Sequence, residues 1–171
     1  MLAAEYTGEE QARVLLLGSL NPAPQPQVWE KFLTEPDPYF FLERVQDPLV
    51  TALTGAILQG AGQKLPLLLD GASAFLAAVA ACKFNPAAAD YCFASHVSVE
   101  PGLEILLDFL KLTAPLRLNL PGGSGVGAAA CLTLLKAGVK AYKEMETFEE
   151  AGVHKEEAAF SLQAQQKKQG S

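Results

Sequence analysis

The order of apolar and polar residues predicts an α/β fold, in which helices cover a small parallel sheet in Rossmann-like layers. One observation is that short apolar runs alternate along the chain with longer segments of helical periodicity. Another is a glycine-rich segment, residues 122–127, between the last apolar run and a long helical pattern. We call this segment the glycine turn. Helical segments are also expected towards both ends of the chain.

Length and composition indicate one globular domain that binds neither nucleic acid nor a membrane. The chain has 171 residues, 50% of them hydrophobic and 19% charged, with a formal net charge of −6. A nucleic-acid surface needs a basic face, which this acidic chain lacks. The longest apolar runs are too short to cross a bilayer, and the first residues lack the basic region of a secretory signal. We therefore expect a cytoplasmic protein.

The cysteines suggest a reducing compartment. Cys82, Cys92 and Cys131 are odd in number and are never spaced as C-x-x-C. We expect reduced and mostly buried thiols, without a disulfide framework, a metal site or a bound cofactor.

The N-terminal part is predicted to be irregular before the first long helix. Residues 1–26 are poorly patterned, with a short helix predicted over residues 9–20 and prolines that break regular structure after residue 21. Residues 27–45 are predicted to form an irregular helical segment whose aromatic side chains pack in the core. Asp47 and Pro48 then form a good helix start, because an acidic N-cap precedes proline at the first helical position.

The central part alternates between helices and strands. The helix that starts at Asp47 is expected to run to about Gly62 and to be followed by a buried parallel strand over residues 65–69. That strand ends at Asp70 and Gly71, where the next helix, over residues 72–81, begins.

The second half repeats the alternation. A short helix over residues 85–90 leads to a strand over residues 91–95, and then to a helix that Ser98 or Glu100 caps. A strand over residues 116–120 precedes the glycine turn.

A long helix is predicted after the glycine turn, with one apolar face and one charged face. The residues predicted on its apolar face are Leu132, Leu135, Val139, Tyr142 and Met145. We predict an organisation of residues 1–26 as an N-terminal segment, 27–153 as the α/β domain and 154–171 as a polar tail.

Three polar segments follow the three predicted strands. They are Asp70 with Gly71, Ser95 and His96 with Ser98, and the glycine turn. Ligands of such sheets bind at the carboxyl ends of the strands, so we expect these segments to converge on one cleft. The turn and the helix behind it could hold a phosphate or carboxylate, although a simple strand-to-helix connection explains the glycines alone.

Four blocks of the chain, taken in this order, resemble one enzyme family. They are residues 67–71, residues 94–102 with the sequence ASHVSVEPG, residues 123–128 with the sequence GSGVGA, and residues 144–148. These blocks are similar to the C-terminal half of the nicotinate-nucleotide–dimethylbenzimidazole phosphoribosyltransferases. The similarity extends from about Pro36 to Val153, and its most specific part is the Ser-His-x-Ser-x-Glu block.

The resemblance implies a glycosyltransferase of cobalamin biosynthesis. Family members move phosphoribose from nicotinate mononucleotide to dimethylbenzimidazole and act as homodimers. A glutamate of the family's glycine turn takes the proton of the benzimidazole, and Ser124 stands at that position here. Pro121 stands where the family has an arginine. Family members also have a long N-terminal half, which residues 1–26 are too short to replace.

The resemblance also implies a set of substrate-binding residues, which are Asp70, Gly71, Ser98, Gly123, Gly125 and Gly127. Each has a structural alternative. Asp70 could cap a helix or close a turn, and Ser98 could cap a helix. His96 is expected to be a hydrogen-bonded structural residue, and Glu100 a first-turn acid favoured by the helix dipole.

Two functions are therefore consistent with the sequence. The first is a phosphoribosyltransferase that is weak or inactive in this chain because Ser124 cannot act as the base. The second is a non-catalytic or truncated relative that oligomerises and binds a nucleotide or a partner.

Overall fold

The computed structural model describes residues 14–18, 25–120 and 123–145. The chain divides into two compact units, residues 1–134 and residues 135–171. In the second unit the structure describes residues 135–145. Residues 135–144 are the last part of a helix that begins in the first unit, and Met145 follows it.

The described elements alternate between strands and helices for most of the chain. In chain order they are β1 (Leu15–Gly18), α1 (Pro26–Trp29), a 3₁₀ turn (Glu30–Phe32), α2 (Pro38–Val45), α3 (Pro48–Gly62), β2 (Leu67–Asp70), α4 (Ala72–Phe84), a 3₁₀ helix (Pro86–Tyr91), β3 (Cys92–Ala94), β4 (His96–Val97), α5 (Leu103–Leu110), β5 (Leu116–Arg117) and α6 (Val126–Glu144). This is the α/β fold with small parallel sheets that the sequence predicts.

The strands pair in parallel in two small sheets. One sheet has the order β1-β2-β3 and the other contains β4 and β5. The sheets are linked at Ser95, which separates β3 from β4 and donates its N–H to the Leu69 carbonyl at 3.1 Å. The three strands of the first sheet therefore run in the same direction, β4 runs parallel to β5, and β4 begins at the carboxyl end of β3. Ligands of such folds bind at the carboxyl ends of the strands.

β2 is the central strand of the first sheet because it pairs with β1 on one side and β3 on the other, and all four of its residues are buried. Leu67 and Leu69 face the main core, which α3, α4 and α5 also line. Leu68 faces the opposite side and packs against Ala128 and Cys131 of α6. A strand covered on both faces in this way is expected to be continuously apolar, as this one is up to Asp70.

Two helices begin at the aspartate and proline pairs that the sequence offers. Asp47 accepts a hydrogen bond from Leu49 N at 2.8 Å, so the predicted start of α3 is confirmed. Asp37 caps α2 in the same way through Tyr39 N at 2.9 Å. In both cases the carboxylate satisfies N–H groups that have no acceptor inside the helix.

Three local predictions are wrong. The described part of the helix predicted over residues 9–20 is strand β1, because its leucines pair with those of β2. The strand predicted over residues 116–120 is only β5, Leu116–Arg117. Neither Ser98 nor Glu100 caps α5, whose N-cap is Gly102 with a φ of 81°.

The C-terminal predictions are tested only in part. In the second unit, the side chains of Val139, Tyr142 and Met145 are exposed. The predicted polar tail, residues 154–171, lies outside the described residues. Among the helices that the structure describes, none is both long and apolar enough to cross a membrane.

Candidate active site

The carboxylate of Asp70 joins the end of β2 to the glycine turn and to α6. Its Oδ1 accepts a hydrogen bond from Gly123 N at 3.0 Å, and its Oδ2 accepts one from Ala128 N at 3.3 Å. The side chain is completely buried. The positive end of the α6 dipole favours a negative charge at this position. The Asp70 carboxylate therefore supplies a negative charge at the start of α6, where the sequence predicts a bound phosphate or carboxylate.

His96 lies beside this carboxylate at the beginning of β4. Its Nδ1 is 3.7 Å from Asp70 Oδ1 and 3.2 Å from Ser95 Oγ. The Ser95 hydroxyl donates its single proton to the Leu69 carbonyl at 2.6 Å. Ser95 Oγ can then only accept, from Nδ1–H of His96. The other ring nitrogen, Nε2, is buried without a hydrogen bond from any described residue.

Glycines allow the close approach of backbone at this edge. A Cβ on Gly18, at the end of β1, would lie 2.8 Å from the Gly123 carbonyl oxygen. Gly71 and Gly125 have φ angles of 84° and 79°, in the left-handed region that favours glycine. The ends of β1 and β2 therefore both contact the glycine turn, through Gly18 and Asp70.

Ser98 and Glu100 form a second polar group at the same edge. Oε2 of Glu100 accepts hydrogen bonds from Ala72 N at 2.7 Å and from Ser98 Oγ at 3.0 Å. Ala72 is the first residue of α4, whose N-cap, Gly71, has no side chain to offer. Glu100 thus caps α4 from a distance, and the predicted role as a first-turn acid of its own helix is wrong.

The predicted site residues are therefore brought together, but mostly through hydrogen bonds to one another. Asp70 binds Gly123, and Ser98 binds Glu100, which binds the residue next to Gly71. Ser124 is half-buried within the turn. Whether these residues bind substrate stays a prediction. Across the described ranges, no cluster of three or more His, Cys, Asp or Glu side chains could hold a metal ion.

The thiols are in apolar surroundings. Cys92 and Cys131 are buried, Cys82 is half-buried, and all three are free thiols in this structure. Burial raises the pKa of the Cys92 thiol to about 12, and the nearby Cys82 adds to this. Burial also raises the pKa of Cys131. These thiols therefore stay protonated and unreactive at neutral pH.

Two features of the site had no clear sequence signal. Glu100 precedes α5, and its partner Ala72 begins α4. The periodicity of one helix gives no information about a contact with the start of another. The close approach of Gly18 to Gly123 also has no sequence signal. β1 has only four residues, which are too few to show the alternating pattern of a strand. The backbone hydrogen bonds of Asp70 follow from the predicted convergence of strand ends, and that convergence is observed.

Parallel strands that end in a buried carboxylate and a glycine turn define an α/β protein of the class that binds ligands at the carboxyl edge of its sheet. The comparison with known families specifies this class further. Residues 27–153 match the family described as phosphoribosyltransferase, and the chain belongs to this family.

Two relatives share one name. A nicotinate-nucleotide–dimethylbenzimidazole phosphoribosyltransferase of Geobacter sulfurreducens is 41% identical over 117 residues, which cover 68% of this chain and 33% of the relative. The Shewanella frigidimarina enzyme of that name is 42% identical over 105 residues, covering 61% of this chain and 30% of the relative.

A solved structure has the same fold over the matching part. The enzyme of that name from Thermus thermophilus superimposes with a TM-score of 0.64 and 37% identity, covering 69% of this chain and 36% of that one. The matching part of this chain thus spans about a third of the length of its relatives.

Proposed function

We propose that this chain binds nicotinate mononucleotide and an aromatic base of the dimethylbenzimidazole type, and that it transfers phosphoribose between them weakly or not at all. The family match and the names of the relatives support these substrates. The matching part of the chain spans about a third of those relatives. Phosphoribosyl transfer, the activity of the full-length relatives, is therefore proposed for this chain.

The observation that carries this proposal is the attachment of the glycine turn to Asp70. Two hydrogen bonds from Gly123 N and Ala128 N hold the turn at the carboxyl edge of the sheet. The remaining N–H groups of the first turn of α6, at Val126 and Gly127, have no acceptor within the helix. They are the donors that remain for the phosphate of a nucleotide, which would bind beside the Asp70 carboxylate that already accepts from Ala128 N.

Weak transfer follows from the residue at position 124. The reaction needs a base near the attacking nitrogen of the acceptor, and the family resemblance implies a glutamate in this turn. The hydroxyl of Ser124 has no useful basicity near neutral pH. This observation also favours the second candidate function, a relative that binds the nucleotide without catalysing transfer.

Calorimetric titration with nicotinate mononucleotide tests the binding. We expect a dissociation constant in the micromolar to millimolar range and a loss of binding in Gly125→Val, which puts a branched side chain at a left-handed φ. Thr113→Val, at an exposed position between α5 and β5, serves as a control of unchanged affinity. Absence of binding by the unmodified chain would contradict the proposal.

Self-association is a further part of the proposal. The support for it is that the matching part of the chain spans only about a third of its relatives, and that large apolar side chains such as Phe93, Val99 and Phe109 are exposed. Sedimentation at micromolar concentration should give a dimer, and a monomer at all concentrations would contradict this. The three unpaired thiols support a reducing, cytoplasmic location.

A further inference from the structure

The helix α4 begins directly after β2, the central strand of the first sheet, at a position where α/β folds commonly bind phosphate groups. The N–H groups of a first helical turn attract anions because they have no acceptor within the helix. The N-cap of α4, Gly71, has no side chain to satisfy them. In this chain the anion at the start of α4 is the carboxylate of Glu100, which comes from the segment between β4 and α5.

Two hydrogen bonds hold this carboxylate in place. Oε2 of Glu100 accepts from Ala72 N at 2.7 Å and from Ser98 Oγ at 3.0 Å. Hydrogen bonds to an ionised carboxylate are stronger than those between neutral groups. The Ser98 hydroxyl donates its single proton to Glu100, so it has none to donate to a phosphate. Glu100 therefore uses both the backbone donor and the hydroxyl donor that an external anion would need here.

The packing of the turn before α5 fixes the position of Glu100. Gly102, the N-cap of α5, has a φ of 81°, and a Cβ at this position would lie 2.9 Å from the indole of Trp29. The indole is completely buried. The turn that carries Glu100 is therefore packed against the core, and ordering its carboxylate at the start of α4 costs little further conformational freedom.

An external anion can reach this position from solvent. A pocket of about 360 Å³ opens beside it, and Ser98 and Glu100 belong to its lining. The hydroxyl of Ser73, in the first turn of α4, is buried and has no hydrogen-bond partner in the part of the chain that the structure describes. The start of α4 therefore has a donor that Glu100 does not use. The negative charge of Glu100 repels a second anion from this position.

We propose that Glu100 determines ligand specificity by excluding phosphate groups from the start of α4. Its carboxylate occupies the anion position there, so the phosphate of a ligand is directed to the start of α6, at Val126 and Gly127. This second statement rests on the proposed function, in which the nucleotide phosphate binds at α6. The exclusion of phosphate from α4 rests only on the contacts of Glu100.

Removal of the carboxylate tests the exclusion. Glu100→Ala frees Ala72 N–H and the Ser98 hydroxyl, and it removes the repelling charge. Amide NMR spectra of the full chain are titrated with inorganic phosphate at constant ionic strength. The variant should show saturable shifts at residues 72–74, with a phosphate affinity at least about tenfold above that of the unmodified chain. Equal phosphate affinity of the two proteins at these residues, or no binding by either, would overturn the proposal.

Glu104→Gln is the matched control for the change in net charge. It removes the carboxylate of an exposed glutamate in the first turn of α5, which pairs with Arg117. This variant should gain no phosphate binding at residues 72–74. A gain as large as that in Glu100→Ala would assign the effect to net charge and refute a specific role for Glu100.

A second variant keeps the test decisive if Glu100→Ala does not fold. In Glu100→Gln the amide oxygen can still accept from Ala72 N, so α4 keeps a cap while the charge is removed. The phosphate affinity at residues 72–74 should then rise about threefold or more, because the repulsion between like charges is lost. Unchanged phosphate affinity in folded Glu100→Gln would also refute the proposal.

Parallel titration with nicotinate mononucleotide separates this inference from the proposed function. Absence of nucleotide binding by the unmodified chain, together with a gain of phosphate binding at residues 72–74 in Glu100→Ala, would contradict only the proposed function. Nucleotide binding by the unmodified chain, without any gain of phosphate binding in the variant, would contradict only the role of Glu100.

Discussion

The imidazole of His96 occupies the space in which a Cβ of residue 127 would lie. The ideal Cβ position on Gly127 overlaps both Nδ1 and Cε1 of the ring. Only glycine at this position allows α6 to begin directly above His96 and Asp70. The glycine is therefore required for packing in the site as well as for any contact with a ligand.

Gly127→Ala should destabilise the protein, because the buried imidazole has to move away from its partners Ser95 and Asp70. We expect a loss of about 1–3 kcal/mol in the free energy of unfolding, measured with urea. Gly55→Ala is the matched control, since a Cβ there meets nothing within 4 Å. That substitution should stabilise α3 by about 0.5–1 kcal/mol. Equal effects of the two substitutions would contradict the overlap.

Asp70→Ala should also destabilise the fold, because Gly123 N and Ala128 N lose their acceptor. Each buried N–H left unsatisfied costs about 1–3 kcal/mol. Asp70→Asn keeps one side-chain oxygen as an acceptor and should cost less. Asp108→Ala, at an exposed position of α5, should change stability by less than about 0.5 kcal/mol. A negligible cost of Asp70→Ala in urea unfolding would show that the turn is held by other contacts.

Stability should fall at alkaline pH because of Cys92. The pKa of this thiol rises from 9.0 to about 12 on folding, so the unfolded chain ionises first. The stabilising contribution is complete below pH 9.0 and is lost as the pH rises towards 12. One pH unit in this window corresponds to about 1.4 kcal/mol. Urea unfolding at about pH 8 and about pH 10, on either side of the unfolded-state pKa, measures this loss.

The control for this measurement is Cys92→Ala, in which the pH-dependent loss should be smaller. The remaining slope comes from Cys82 and Cys131, whose pKa values burial also raises. The same pH dependence in Cys92→Ala as in the unmodified protein would assign the loss to other groups.

Ser124→Glu should raise phosphoribosyl transfer without restoring full activity. General-base assistance contributes roughly 10²–10⁴-fold to a rate, and the unmodified chain lacks it at this position. We expect trace nicotinate release from the unmodified chain and a partial increase in the variant, assayed with and without dimethylbenzimidazole. Ser124→Gln, similar in size but without basicity, should show no increase. Robust turnover by the unmodified chain would point to Glu100 or Asp70 as the base.

The sequence predicts local structure well where one segment carries the whole signal. Asp47 and Pro48 determine the start of α3 by themselves, and the apolar run before Asp70 identifies the buried strand. The prediction fails where the partner is distant. The leucines of β1 have no period that distinguishes a strand from a helix, and only their pairing with β2 makes them a strand.

The candidate site follows the same rule. The convergence of Asp70 with the glycine turn is predictable, because carboxyl ends of parallel strands share one edge. The partner of Glu100 is not predictable in this way. Ala72 lies 28 residues earlier and begins another helix, so the contact exists only in the folded chain.

β1 lies upstream of residues 27–153, the part that matches the family, yet it covers one side of β2 along its full length. A protein excised at the family boundary would therefore leave the backbone of Leu67–Asp70 open on that side. Unpaired strand edges recruit strands from other molecules. Such a fragment is expected to aggregate, and biochemical work on this domain should keep the residues that precede position 27.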